Sequence, residues 1–482
     1  MVIERRRSEL VALVVVLFAA ASCGSSGGTA KDGGAGSTGA GGGPGTGGGA
    51  PDAGAQGGSS GKGGADGQGG SSGKGGAGGG AAGAGGGVCA HEIDNPACWS
   101  ERDLTGFTEL QQGFFGAIFD GRYVIYVNST TGTPDDQIRY DTQGSFTGAG
   151  WSAFDTESVV GIGYVGGAFD GRYAYLTPTM PENNGAAGQN YDAIVARYDT
   201  QAAFNTTASW STFNLTRASG TADLTVPGFE GAAFDGRYVY FAPSAAGTTV
   251  SGHVARYDTQ AGFTTAASWS SFDLTTVDAA AGGFAGVVLG GRYLYFVPHA
   301  TSNARAARYD TQASFTAAAS WSTFEVTTLN PAANGFTGGV FDGRYVYFAP
   351  ASAIFDSPTI IVRHDTQGTF TDAASWGTFD TTAIQSSATW DYEGAAFDGR
   401  YVYFIPSHGD PLLRFDAQGS FTDAASWKAQ RLFDVAPNSG GYSGAAFDGR
   451  YLYLVPNDLE DALRFDARDA GPLPATYNGS FY

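Results

Sequence analysis

Two glutamates, Glu230 and Glu393, are the residues best placed to do chemistry, each following an aromatic residue in the phrase aromatic-Glu-Gly-Ala-Ala-Phe. Two carboxyls brought together can hold a cation, hydrogen-bond a polar ligand or act as an acid and base pair. Left apart, they are plain solvated carboxylates. The aromatic before them recurs as Phe114, Tyr164, Phe229, Phe284, Phe336, Tyr392 and Tyr442. Such rings either stack on sugars around an opening, with Tyr164, Phe229, Tyr392 and Tyr442 as the ligand-binding members beside the two glutamates, or pack between structural units. No cofactor is expected beyond a cation such as calcium between the carboxyls, and no catalytic residue is assigned.

Other groups carry weaker chemical signals. Six Asp recur before Gly (Asp120, Asp170, Asp235, Asp342, Asp398, Asp448) and could be read as metal ligands, but Asp-Gly is the chemistry of a tight hairpin turn. Fourteen of the nineteen Arg after residue 87 fall at two repeated positions, beside a recurrent Asp with which ion pairs are expected. His253, His299 and His408 lie in or beside loops with no spacing that requires a common metal, and His364 replaces a repeated Tyr. Cys89 and Cys98, with His91 between them, read as a disulfide; as a metal site the trio lacks a fourth ligand. The chain contains no Gly-Lys-Ser phosphate loop, HExxH or nucleophile elbow.

The elements that must position these groups form a repeat. FDGRY occurs six times and LGGRY once, starting at Phe119, Phe169, Phe234, Leu289, Phe341, Phe397 and Phe447, with steps of 50, 65, 55, 52, 56 and 50 residues. Each copy reads as a β-hairpin: a short apolar strand, an Asp-Gly turn, then an alternating strand such as Tyr401-Val402-Tyr403-Phe404. A third strand ends in Arg-Tyr-Asp (Arg197-Tyr198-Asp199) and a fourth opens at a Trp (Trp151, Trp210, Trp269, Trp321, Trp376, Trp427). The seventh hairpin has no Trp phrase after it, whereas residues 99–105 (WSERDLT) supply one from the other end of the chain. The expected fold is all-β: a seven-bladed β-propeller of four-stranded blades, its ring closed by the N-terminal strand 99–105 in the last blade.

The order of landmarks in residues 231–269, GAAFDGRYVYF, then ARYDT, then Ser-Trp, resembles the kelch repeat. The paired Gly of that pattern is replaced here by Ala-Pro or Val-Pro, as at Ala242-Pro243 and Val297-Pro298. The resemblance covers residues 99 to about 468 and implies a propeller; kelch propellers include binding modules and enzymes, so function stays open.

Composition bounds the rest. Aromatic content of 13% with two Met and no helical apolar period fits an all-β chain. A net charge of -20 excludes nucleic acid as an expected partner, since phosphate binding needs a basic patch. Residues 1–23 begin with Arg5-Arg6-Arg7, run through an apolar stretch and end in Ala20-Ala21-Ser22-Cys23, resembling a bacterial lipoprotein signal with Cys23 as the lipidated residue. Residues 24–87 are Gly, Ala and Ser with scattered charge, a disordered tether reaching about 40 to 50 Å. The expected organisation is signal 1–23, tether 24–87, disulfide-bracketed lead-in 88–98 and propeller 99–482, in a monomer exported to the outer membrane or cell surface of a bacterium.

In this strand order the Asp-Gly-Arg turns share one face of the ring and repeat with little change. The loops of the other face differ from blade to blade, as in residues 177–192, 244–252, 299–305, 352–359 and 407–411. Binding sites are usually grafted on such variable loops. The expected function is a non-catalytic binding or adhesion module for a surface glycan or protein ligand, acting through the variable face; the alternative is an extracellular carbohydrate-active hydrolase or lyase at the channel mouth.

Overall fold

The computed structural model describes residues 89–472 and 480–481, apart from 105–112, 130–135, 161–162, 180–192, 216–227, 247–248, 300–303, 352–358, 386–389, 408–409 and 458–460. Cys23, the tether 24–87 and His408 lie outside these residues.

Seven antiparallel sheets form the blades; five run from an inner strand outward in chain order, and blades one and seven each take one strand from the opposite end of the chain. Blade three is typical: Phe229–Phe234, Tyr238–Pro243, His253–Asp258 and Trp269–Asp273. The other inner strands are Phe114–Phe119, Tyr164–Phe169, Phe284–Gly290, Phe336–Phe341, Tyr392–Phe397 and Tyr442–Phe447. They touch in ring order, the last against the first, around a central bore.

The ring closes as the Trp count requires. Trp99–Arg102 pairs with Ala462–Asp466 as the outer strand of blade seven, in register Trp99↔Phe465 and Arg102↔Ala462. Sequence had placed the end of this strand three residues later, at Thr105, which is not among the described residues. The lead-in copies the turn that precedes the outer strands of blades two to six. Trp269 Nε1 donates to Phe263 O across the 3-10 turn Ala266–Ser268, and Trp99 Nε1 donates to Ile93 O across Pro96–Cys98. Ile93 thus stands where the other blades have Phe, and the Cys89–Cys98 disulfide clamps this substitute turn. Glu92 continues the lead-in onto blade six, 2.8 Å from the buried Arg414 and 3.1 Å from Lys428.

Turn chemistry accounts for the six Asp. In Asp235, Oδ1 accepts from the backbone N–H of Arg237 and Tyr238 at 2.8 and 2.7 Å, and Oδ2 accepts from the Tyr240 hydroxyl at 2.8 Å. Gly236 supplies the positive φ, +102°, that the turn needs. The seven Arg of these turns pair within their own blades with the Asp that ends strand three, as Arg237 does with Asp258 at 2.8 Å. The second repeated Arg behaves differently from the expected ion pair. Arg256 lies over the Tyr238 ring at 4.2 Å and over Phe315 of the next blade at 4.2 Å, a cation–π bridge between blades.

Tyrosines of strand two carry the packing round the ring. Tyr240 meets Tyr309 of the next blade at 5.8 Å, and Tyr453 of blade seven meets Tyr140 of blade one at the same type of contact, 5.7 Å. Each aromatic pair adds about 0.5–1.5 kcal/mol beyond its buried area. Blade four breaks the rule on both sides: Gly290 takes the Asp position, and Tyr295 faces His364 rather than a Tyr, at 5.6 Å. His364 is fully buried and neither ring nitrogen has a hydrogen-bond partner; burial pushes its pKa down to about 4.

Candidate functional site

Each inner strand starts at the variable face and ends at the Asp-Gly-Arg turn, so its second residue sits at one mouth of the bore. A β-bulge re-aims that residue. Register slips between Phe229 and Ala232 in blade three and between Tyr392 and Ala395 in blade six, with Gly231 and Gly394 at φ +77° and +84°. The Gly of the aromatic-Glu-Gly phrase therefore makes the bulge, and the bulge leaves the aromatic between sheets while Glu230 and Glu393 occupy the mouth.

The aromatic residues are accordingly consumed by packing. Phe229, Tyr392 and Tyr442 have no exposed surface and Tyr164 has 1%. Phe229 sits edge-on to Phe241 at 6.1 Å and Tyr392 edge-on to Phe404 at 6.0 Å, each within its own blade. The Tyr164 hydroxyl donates to Val160 O at 2.5 Å and that of Tyr442 to Asp461 O at 3.3 Å. These four rings offer no open face on which a sugar could stack, because their faces already complete the core; the packing alternative describes them.

The two glutamates differ. Both lie in water-poor surroundings at the mouth, and the Glu230 side chain retains 24% exposure toward the bore. The pKa of each is raised from 4.5 to about 8, by burial at Glu230 and by burial together with the charges of Asp391 and Glu230 at Glu393. The smallest of these influences runs between blades: the charge of Glu230, three blades away, reaches Glu393, while burial alone acts on Glu230.

Neighbouring groups complete the mouth. His299 Nε2 lies 4.0 Å from Glu230 Oε2, at the outer limit of an ion pair, and burial lowers the His299 pKa. Both groups are thus biased toward their neutral forms at neutral pH. Thr337 occupies the mouth position of blade five; its hydroxyl donates to Tyr392 O at 2.6 Å and accepts from Gly394 N–H at 3.3 Å. That clamp fixes the backbone on both sides of Glu393. In blade seven Ser443 does the same for the seam, its hydroxyl donating to Phe114 O at 2.5 Å. Asp410, from the loop after strand two of blade six, accepts from Asp391 N–H at 2.9 Å.

Sequence reading paired neither His299 with Glu230 nor Thr337 with Glu393. The one available signal was position: His299 directly follows the Pro that ends strand two, and Thr337 stands at the same place after the aromatic as the two glutamates. His253 is not part of the mouth; its Nε2 lies 3.9 Å from Asp273 Oδ2 at the outer strand of its blade. Among the described residues, the only grouping of possible metal ligands is Cys89, His91 and Asp466 on blade seven, where Cys89 is already committed to the disulfide.

No protein-family model matches this chain, and no curated protein matches it. Solved structures do. Virginiamycin B lyase from Staphylococcus aureus is similar at a TM-score of 0.50 and 11% identity, over 76% of this chain and 98% of the lyase. The extracellular domain of a hybrid two-component system from B. thetaiotaomicron is similar at 0.51 and 10% identity, over 79% of this chain and 44% of that one. At such identities the likeness carries the fold alone, and the class it defines together with the strand order is the seven-bladed β-propeller.

Proposed function

We propose that the chain is a non-catalytic binding or adhesion module, exported and held at a bacterial surface by lipid on Cys23, that takes a glycan or protein ligand at the variable-face mouth of the bore. The observation that carries this reading is the pair Glu230 and Glu393, two desolvated carboxyls three blades apart, with the charge of Glu230 felt at Glu393. A ligand amine, guanidinium or divalent cation entering between them would restore ionisation of both, and polyol hydroxyls would bond to either form. The kelch-like order of landmarks and the long Gly-rich stretch fit a displayed module.

The hydrolase or lyase alternative is less well supported. Acid and base pairs work when their surroundings push the two pKa values apart, whereas here both carboxyls rise to the same value, about 8. That one similar fold belongs to a lyase does not offset this, because fold does not fix chemistry.

The test is a glycan array and a surface pull-down with the purified chain and with the variant carrying Glu230→Gln and Glu393→Gln. A ligand captured by the native protein and lost at least tenfold by the variant supports the reading; no ligand in either screen defeats it. Anchoring is tested separately: Cys23→Ser should move the protein out of the membrane fraction.

A further inference from the structure

An inner strand spends one edge on strand two of its blade and turns the other toward the bore, where N–H and C=O groups need partners. In blade one that edge is occupied. Ser480–Phe481 forms a short strand antiparallel to Phe114–Phe119, with Ala117 opposite Phe481 and Ile118 opposite Ser480. Ser480–Phe481 therefore adds a fifth, innermost strand to blade one. The same strand lies against the inner strands of blades two, six and seven, so it is enclosed by the ring.

One feature of the sequence makes room for it: the inner strands carry small residues after the bulge, as in Gly231-Ala232-Ala233 and Gly394-Ala395-Ala396. Direction matters as well. Because Phe114–Phe119 runs from the variable mouth to the turn face, its antiparallel partner runs toward the mouth that holds Glu230 and Glu393.

We propose that the bore is a strand-accepting peptide site on the inner edge of Phe114–Phe119, and that its occupant in this chain is its own segment Ser480–Phe481. Binding is by main-chain β-addition, which asks of the guest an extended backbone free of Pro. Tethering holds the local concentration of the tail near the millimolar range, so a peptide offered in trans meets a filled site. This proposal does not depend on what the glutamates bind.

Two experiments on the chain test it, both with Cys23→Ser to leave no other free thiol. Cross-strand partners sit about 4.5–5.5 Å apart at Cα, within the span of a disulfide. Ala117→Cys with Phe481→Cys should therefore crosslink on mild oxidation, read by mass spectrometry, whereas Ala233→Cys with Phe481→Cys, on blade three, with which Ser480–Phe481 is not paired, should not. A chain ending at Pro472 should bind a fluorescent peptide of residues 476–482 at least tenfold more tightly than the full chain does. Equal crosslinking at the two positions, or none at Ala117, overturns the proposal, as does a folded truncated chain with no gain in peptide affinity.

Discussion

Converting Glu230 and Glu393 to Gln removes two acids whose ionisation the bore opposes, and the consequence is a change in how stability depends on pH. Each carboxyl has its pKa raised from 4.5 to about 8. A group raised on folding contributes its full stabilisation below the unfolded pKa and loses it as pH rises through the folded one. The native protein should therefore be most stable below about pH 4.5 with respect to these groups and should lose that contribution between about pH 4.5 and 8. At about 1.4 kcal/mol per tenfold step the shift sets a ceiling of about 5 kcal/mol per carboxyl. Water in the bore reaches part of Glu230, 24% exposed, and the two charges are coupled, so about 2–3 kcal/mol for the pair is the working expectation. Urea unfolding at about pH 5 and 8.5 reads it directly. Native stability should fall by that amount relative to the double Gln variant, which should be the more stable protein at the higher pH. Parallel profiles for the two proteins would refute the raised pKa values and with them the shared mouth.

Three further outcomes follow from the frame around the site. Trp99→Ala removes a ring packed in a tilted pair 4.6 Å from Phe465 and the bond to Ile93 O, and should cost about 3–5 kcal/mol by opening the seam of blade seven, read as a drop in the unfolding midpoint. Replacing Cys89 and Cys98 together by Ser frees a loop spanning nine residues and should cost about 2–3 kcal/mol, a loss that reductant should mimic in the native chain. His364→Tyr restores the residue whose hydroxyl in other blades donates to the carbonyl four positions on, as Tyr309 does to Ala313 O at 2.9 Å. It should stabilise by about 1–2 kcal/mol at neutral pH. With the His364 pKa depressed to about 4, native stability falls as pH drops from about 6.5 toward 4, so the advantage of the variant should widen there.

The fold was legible because a propeller writes its period into its turns: FDGRY counts the blades, and the unpaired Trp99 announces the closure. The lead-in was harder to see, since Ile93 and Pro96–Cys98 imitate the Phe-turn-Trp unit with none of its letters; what they preserve is a backbone carbonyl for the indole. At the mouth, the glutamates stood out because other blades carry Phe115, Val165, Ala285, Thr337 or Ser443 at that place. Their mutual influence did not, because it depends on the width of the bore, which no local spacing encodes. The aromatics carried two readings for a related reason. A ring beside a carboxylate looks like a sugar platform until the bulge at Gly231 or Gly394 turns the two residues apart. The tail strand, paired across more than three hundred residues of sequence, had no local signal at all.

The central claim is that Glu230 and Glu393, three blades apart, form one site. Carboxyl carbon NMR of the protein labelled at glutamate, titrated with and without Glu230→Gln, tests it most directly. Both carboxyls should titrate far above the usual glutamate range, near 8, and the midpoint of Glu393 should fall when Glu230 is neutralised by substitution. Midpoints near 4.5 that ignore one another would contradict the claim.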